Sequence, residues 1–272
     1  MIIYISHSIE CLSGHQIPVF LQVVSHLMIR FLFRLISLFL LMSLNSAAWA
    51  IINGRVITPP PDIVLILSDR GGICTGSIIS DHVIVTGAHC VEKTGNIAVY
   101  YKTGSGKEHI IKVERIAVHP RYRPIRESFN SKIVMIDLAL LKTEEKLPGR
   151  KAVALSLGRP EKNETVQISG FGQFDEKKAP DGQLRTTKLN VVEPHGRGKV
   201  VLWLKGSNGN GACEGDSGGP VHYQDKLAAI IFCASGHGRA DCGNYTQGLL
   251  LAPQKNWIDG TLSKWGEKAQ WQ

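Results

Sequence analysis

The sequence is short of several features that would point to other classes of protein. Its longest apolar run, Leu35–Leu44, has ten residues, where a helix crossing a bilayer needs about 20. No Cys-x-x-Cys pair or His/Cys cluster has zinc-like spacing, no calcium loop is present, and no internal repeat is found. A bound metal or cofactor is therefore not expected. Helical periodicity does not persist over any long stretch. The +8 formal charge on 272 residues is spread along the chain. Only His119-Pro-Arg-Tyr-Arg-Pro-Ile-Arg126 forms a basic cluster, and it reads as a solvated loop. No nucleic-acid partner is expected from such a distribution.

What is present begins with an export signature. Basic residues Arg30 and Arg34 precede the apolar run, and Ala48-Trp49-Ala50 supplies the small-residue cleavage site. Residues 1–50 are read as a signal peptide, with 1–27 as a mis-assigned start ahead of Met28. Membrane contact is expected only during export. The mature chain would be Ile51–Gln272, 222 residues of net charge +7. It would be secreted, to the periplasm or the medium, and would meet an oxidising compartment where disulfides form. It keeps five cysteines, Cys74, Cys90, Cys213, Cys233 and Cys242, so at least one thiol is left over.

The 43% hydrophobic content can fill a sizeable core, and its arrangement argues for strands. Short β-branched runs recur between turn residues: Ile63–Leu67, Gly76–Ser80, His82–Thr86, Asn96–Tyr101, His109–Glu114, Thr165–Ser169, Lys199–Leu204, Lys226–Phe232 and Gly248–Leu251. Many short strands so spaced imply an all-β sandwich or barrel. Ile258, Leu262 and Trp265 fall on one face of a terminal helix, which Gly260 weakens. The polar stretch Thr143–Lys151 divides the strand-rich halves, giving domains at 51–146 and 147–272.

Three segments carry chemistry. Gly215-Asp-Ser217-Gly-Gly-Pro220 would project a serine from a tight turn, with glycines permitting the backbone shape. A serine hydroxyl is a weak nucleophile that needs a neighbouring base. Thr86-Gly-Ala-His89-Cys90 offers that base, on a loop that a disulfide could clamp. Asp137-Leu-Ala-Leu-Leu opens an apolar run that would draw the carboxylate inward. A buried carboxylate needs a partner, and His89 would provide one.

In the order His, Asp, Ser these segments resemble the chymotrypsin-like serine protease family, from Ile51 to about Trp257. Gly170-Phe-Gly172, Ile116-Ala-Val-His-Pro120 and Asn256-Trp-Ile258 add to the likeness. The resemblance implies two six-stranded antiparallel β-barrels with the site in the cleft between them, and a short C-terminal helix. It implies a serine endopeptidase acting on proteins or peptides, with His89, Asp137 and Ser217 as triad; a monomer is expected. The N–H groups of Gly215 and Ser217 would form the oxyanion hole. In this family a freshly cut Ile-Val-Gly-Gly end buries its ammonium against the aspartate before the serine. Ile51-Ile-Asn-Gly54 and Asp216 match these parts. With Ala50 directly ahead, signal peptidase itself would make the active end, without a zymogen.

The resemblance also pairs Cys74 with Cys90, and Cys213 with Cys242. Cys233 then stands where the family has tryptophan, in Phe232-Cys-Ala234 instead of Ser-Trp-Gly. Gly211 occupies the pocket floor, where trypsin-like enzymes carry aspartate. Ala212, Ala234 and Gly248 are expected to line the rest, favouring large apolar or aromatic residues before the cut. Asp241 or His237 could reach in from Ser235–Asp241, and Glu214 would discourage acidic residues after the cut. Two other readings stay open: a non-catalytic binding protein on the same scaffold, favoured only by the Phe232-Cys-Ala234 strand, and a hydrolase acting on esters.

Overall fold

The computed structural model describes residues 51–92, 95–123, 135–173, 182–195, 199–235 and 242–272. The expected signal peptide (1–50), His237 and Asp241 lie outside the described residues. So does part of the basic cluster, residues 124–126. Among the described residues no helix is long and apolar enough to cross a membrane.

Among the described residues thirteen strands and one α-helix follow in order. They are β1 (Arg55–Val56), β2 (Ile63–Ser68), β3 (Ile73–Ile78), β4 (Val83–Thr86), β5 (Ile97–Lys102), β6 (Glu108–Val118) and β7 (Ala139–Thr143), then β8 (Thr165–Gly170), β9 (Arg185–His195), β10 (Val201–Lys205), β11 (Pro220–Tyr223), β12 (Lys226–Ser235), β13 (Tyr245–Leu250) and α1 (Lys255–Lys264). All pairings between these strands are antiparallel. Strands β2-β3-β4-β7-β6-β5 close the first barrel. The second runs β9-β10-β13-β12-β11-β8 and closes where β8 pairs with β9, with β1 added to it. Closure leaves no free sheet edge in either barrel. The chain is thus all-β with two six-stranded antiparallel barrels and one short C-terminal helix.

Alternation along the strands fills each interior. Val64, Ile66, Ile84, Val99 and Leu141 meet inside the first barrel, and Val166, Ile168, Leu202, Leu204 and Ile231 inside the second. A third cluster lies across the seam. Ile79, Val83, Val85, Ile136, Leu138 and Leu140 of the first half pack there with Leu227, Ile230, Leu249 and Leu251 of the second. Each such aliphatic side chain, fully buried, contributes roughly 1.5–3 kcal/mol, so the seam is held by packing.

The two ends of the described chain cross over the seam. Residues 51–56 pack on the second barrel, not the first: Ile51 is fully buried in its core, Ile52 bridges to Gly211, and β1 lies on β9. Conversely Ile258 and Leu262, on the helix face read from the sequence, join the seam cluster that holds Val83 and Leu140. Gly260, on another face, has no neighbour crowding it. A further tie joins the halves where His222 Nε2 of β11 lies 3.3 Å from the Asp62 carboxylate at the start of β2.

Candidate active site

His89 sits in a 3-10 turn, Ala88–Cys90, directly after β4. Ala88 is wholly buried, and the disulfide Cys74–Cys90 fastens the turn to β3. Asp137 lies between fully buried Ile136 and Leu138 and is itself 1% exposed. It bonds His89 twice. The His89 backbone N–H donates to Oδ1 at 2.9 Å, and Nδ1 meets Oδ2 at 2.6 Å. Burial pulls the pKa of His89 down. The hydrogen bond and charge of Asp137, with the charge of Glu92, more than offset this, and the net shift is upward.

Ser217 stands in the turn between Cys213 and β11. Gly215 has φ +92° and Gly218 φ +78°, backbone shapes that glycine tolerates. A side chain on Gly218 would meet Thr86 Oγ1 at 2.0 Å and the Thr75 carbonyl at 2.4 Å, so the turn presses directly on the first barrel. The Thr75 N–H donates to the Ser217 carbonyl at 2.8 Å. Cys90 Sγ lies 3.8 Å from both that carbonyl oxygen and His89 Nε2. His89, Ser217, Gly215, Glu214, Glu92 and the Cys74–Cys90 disulfide line one cleft of about 330 Å³. No hydrogen bond joins Ser217 to His89; a nucleophile–base contact often tightens only around substrate.

The Glu214–Gly215 peptide is oriented by its carbonyl, which accepts the Gln173 N–H at 2.7 Å. In a trans peptide the N–H points opposite to the C=O, so the Gly215 N–H is turned away from Gln173. Neither the Gly215 nor the Ser217 N–H donates to any described group. Thr75 Oγ1 completes the support. It donates to the Gly215 carbonyl at 3.1 Å and accepts from Phe171 N–H at 3.0 Å.

Asp216 is fully buried behind this turn. Its Oδ1 accepts the Gly172 N–H at 2.9 Å and its Oδ2 the Cys213 N–H at 2.8 Å. Burial pushes its pKa up to about 7, against the opposing pull of those two amides and of Arg185. Ile51 is buried in the same barrel.

The disulfides are Cys74–Cys90 and Cys213–Cys242. Cys233 takes part in neither; it is half-buried on β12 opposite Gln247 of β13. Among the described residues the single three-member metal-ligand cluster is Cys74, His89 and Cys90. Its sulfurs are joined to each other and supply no thiolates.

Around the expected pocket the structure brings Gly211 and Ala212 together with Thr246 rather than with Gly248. A side chain on Gly211 would lie 3.2 Å from Thr246 Oγ1, which also accepts the Ala212 N–H at 2.9 Å. Gly248 instead faces Leu202, Val221 and Ala229 inside the second barrel. Gly211 and Ala212 thus meet β13 at Thr246, two residues before Gly248. Ala234 lies opposite Thr246 on β12. Thr75, Thr246, Tyr122 and Arg185 were missed by reading the sequence. Tyr122 donates to Glu92 Oε2 at 2.8 Å beside the cleft.

The family model of Trypsin matches residues 51–258. Hypodermin-B of Hypoderma lineatum is 28% identical over 187 residues, 61% of this chain and 70% of its own. Trypsin zeta of Drosophila melanogaster is 27% identical, covering 70% and 74%. A chymotrypsin of Phaedon cochleariae is 24% identical, covering 79% and 83%. In three dimensions the chain is similar to neuropsin, a serine protease expressed in the limbic system of mouse brain. The TM-score is 0.65 at 23% identity, over 78% of this chain and 99% of that one.

Proposed function

Since the chain belongs to the trypsin family, we propose that it is a secreted serine endopeptidase, with Ser217, His89 and Asp137 as its catalytic triad. The observation that carries this reading is the doubly bonded Asp137–His89 pair on a cleft that His89 shares with Ser217. Ser217 Oγ attacks the scissile carbonyl while His89 Nε2 takes its proton. The tetrahedral oxyanion is received by the Gly215 and Ser217 N–H groups, and each such donor contributes about 3 kcal/mol to lowering the barrier. The C–N bond then breaks as His89 returns the proton to the leaving amine. Water, activated by the same imidazole, hydrolyses the ester. Asp137 holds the tautomer with Nδ1 protonated and stabilises the imidazolium.

In the exported chain the Ile51 ammonium pairs with Asp216 and settles the oxyanion turn. Gly211, Ala212, Ala234 and Thr246 form the pocket for the residue before the cut. The pocket carries no charge at Gly211, so large apolar or aromatic residues are preferred over arginine and lysine. Glu214 disfavours acidic residues after the cut. A binding role without catalysis is the second reading, favoured by Phe232 and Cys233 in the substrate strand.

The test is cleavage of a diverse peptide library by residues 51–272 beside Ser217→Ala, read by mass spectrometry. Cuts that need Ser217, after apolar or aromatic residues, support the reading. A folded sample without serine-dependent cuts rejects it in favour of binding.

A further inference from the structure

Strand β8 carries Gly170 directly opposite Arg185 of β9. Residues so opposed send their side chains to the same face of the sheet. On that face a side chain at Gly170 would begin 2.1 Å from Asp216 Oδ1. The stem of Arg185 therefore leaves the sheet on the face that carries the same carboxylate, and its charge favours the ionised form of that carboxylate through space, without a direct ion pair between the two. Arg185 is 1% exposed and Asp216 fully buried, so water screens neither charge. A guanidinium does not lose its proton at any pH a protein survives, and a carboxylate at such depth needs a cation or donors to remain ionised. Arg185 Nη1 also reaches the Gln183 carbonyl at 3.5 Å, which holds the group to its own strand.

The contacts that hold the region around Asp216 do not involve the Ile51 nitrogen. Gly172 and Cys213 donate to the two Asp216 oxygens, and Gln173 holds the Glu214 carbonyl. The geometry points to Arg185 as a positioning residue, a built-in cation that holds Asp216 and the oxyanion turn before the Ile51 ammonium exists. This rests on the protease reading of Asp216 and Ile51 and extends it. The chain is then active with residues ahead of Ile51, and processing raises an activity that is already present instead of switching it on.

The test compares two starts, Ala48 and Ile51, both spanning the whole compact unit 48–272 or all but its first three residues. Each is made as wild type, R185Q and R185K. Wild type starting at Ala48 should keep kcat/KM within about 10-fold of the Ile51 start. R185Q should cost the Ala48 start about 100-fold or more, the scale of removing one partner of a buried charge pair. It should cost the Ile51 start less than about 5-fold, because the ammonium there supplies the cation, and R185K should restore most of the Ala48 activity. Equal losses in both starts would mean a merely structural arginine, and no loss in either would mean no role. An inactive wild type at the Ala48 start beside an active Ile51 start also overturns the proposal. If no form cleaves peptides, the protease reading fails, and hydrogen exchange decides the inference alone. The Gly172 and Cys213 amides should be protected in the Ala48-start wild type and lose protection in R185Q; unchanged protection in R185Q overturns it.

Discussion

Asp137 grips His89 at two points, accepting its backbone N–H at 2.9 Å with one oxygen and meeting Nδ1 at 2.6 Å with the other. The first bond fixes where the residue sits, and the second fixes which ring nitrogen carries the proton. Asp137→Asn keeps the shape and the first contact, but an amide NH2 turned towards Nδ1 would favour the opposite tautomer. In the proposed mechanism kcat should fall about 10⁴-fold, the size of this change in the family's own template. Steady-state kinetics on a peptide identified from the library measures it. A fall below tenfold would remove Asp137 from the proposed role.

The pH profile of kcat/KM should report His89, which must be neutral to accept the Ser217 proton. Burial lowers its pKa, while Asp137 and then Glu92 raise it, and the balance is upward. Activity should therefore rise with pH through a midpoint above the ordinary histidine value of about 6.5. Glu92→Gln removes one raising charge, so the midpoint should move down while the plateau changes little. A midpoint below 6.5 in the unaltered enzyme, or one unmoved by the substitution, would contradict this account.

Much of the framework can be read from the chain because strand cores repeat at short range. Ile63–Leu67 and Thr165–Ser169 announce β2 and β8 through β-branched density. Strand β9 escapes such reading, since Arg185-Thr-Thr-Lys-Leu-Asn alternates polar residues along an apolar barrel wall. Its residues pair with β8 and with β1, the latter far away in sequence. Gly248 was misplaced for a related reason: glycine carries no side chain whose polarity marks a face, and only pairing with β10 and β12 shows which way it points. His89, Asp137 and Ser217 were legible because each sits in a distinctive local string. Thr75 and Arg185 act across strands, and nothing in their neighbouring residues signals it.

Thr75 is the sharpest of these omissions. Its hydroxyl ties the Gly215 carbonyl to the Phe171 amide, both in buried surroundings. Thr75→Val keeps the volume and loses both bonds, stranding a donor and an acceptor. A loss of roughly 2–3 kcal/mol of stability is expected, seen as a lower urea midpoint. Because the Gly215 peptide also loosens, kcat should fall more than KM changes. Unaltered stability would show that the two backbone groups find other partners.

Asp216 ties stability to pH in a way that depends on the start of the chain. Its carboxyl is raised to about 7 by burial, against about 3.9 when unfolded. Between those values the folded state holds a proton that the unfolded state has released. Linkage then requires stability to decrease as pH rises from about 4 to about 7, and to level off above. In a chain starting at Ala48 the urea midpoint should show this decline. In a chain starting at Ile51 the ammonium beside Asp216 favours the ionised form and lowers its pKa, so the decline should shrink or vanish. The difference between the two curves should therefore widen towards neutral pH. Parallel curves for the two starts would mean that the ammonium never reaches Asp216, and the proposed activation pair would fall with them.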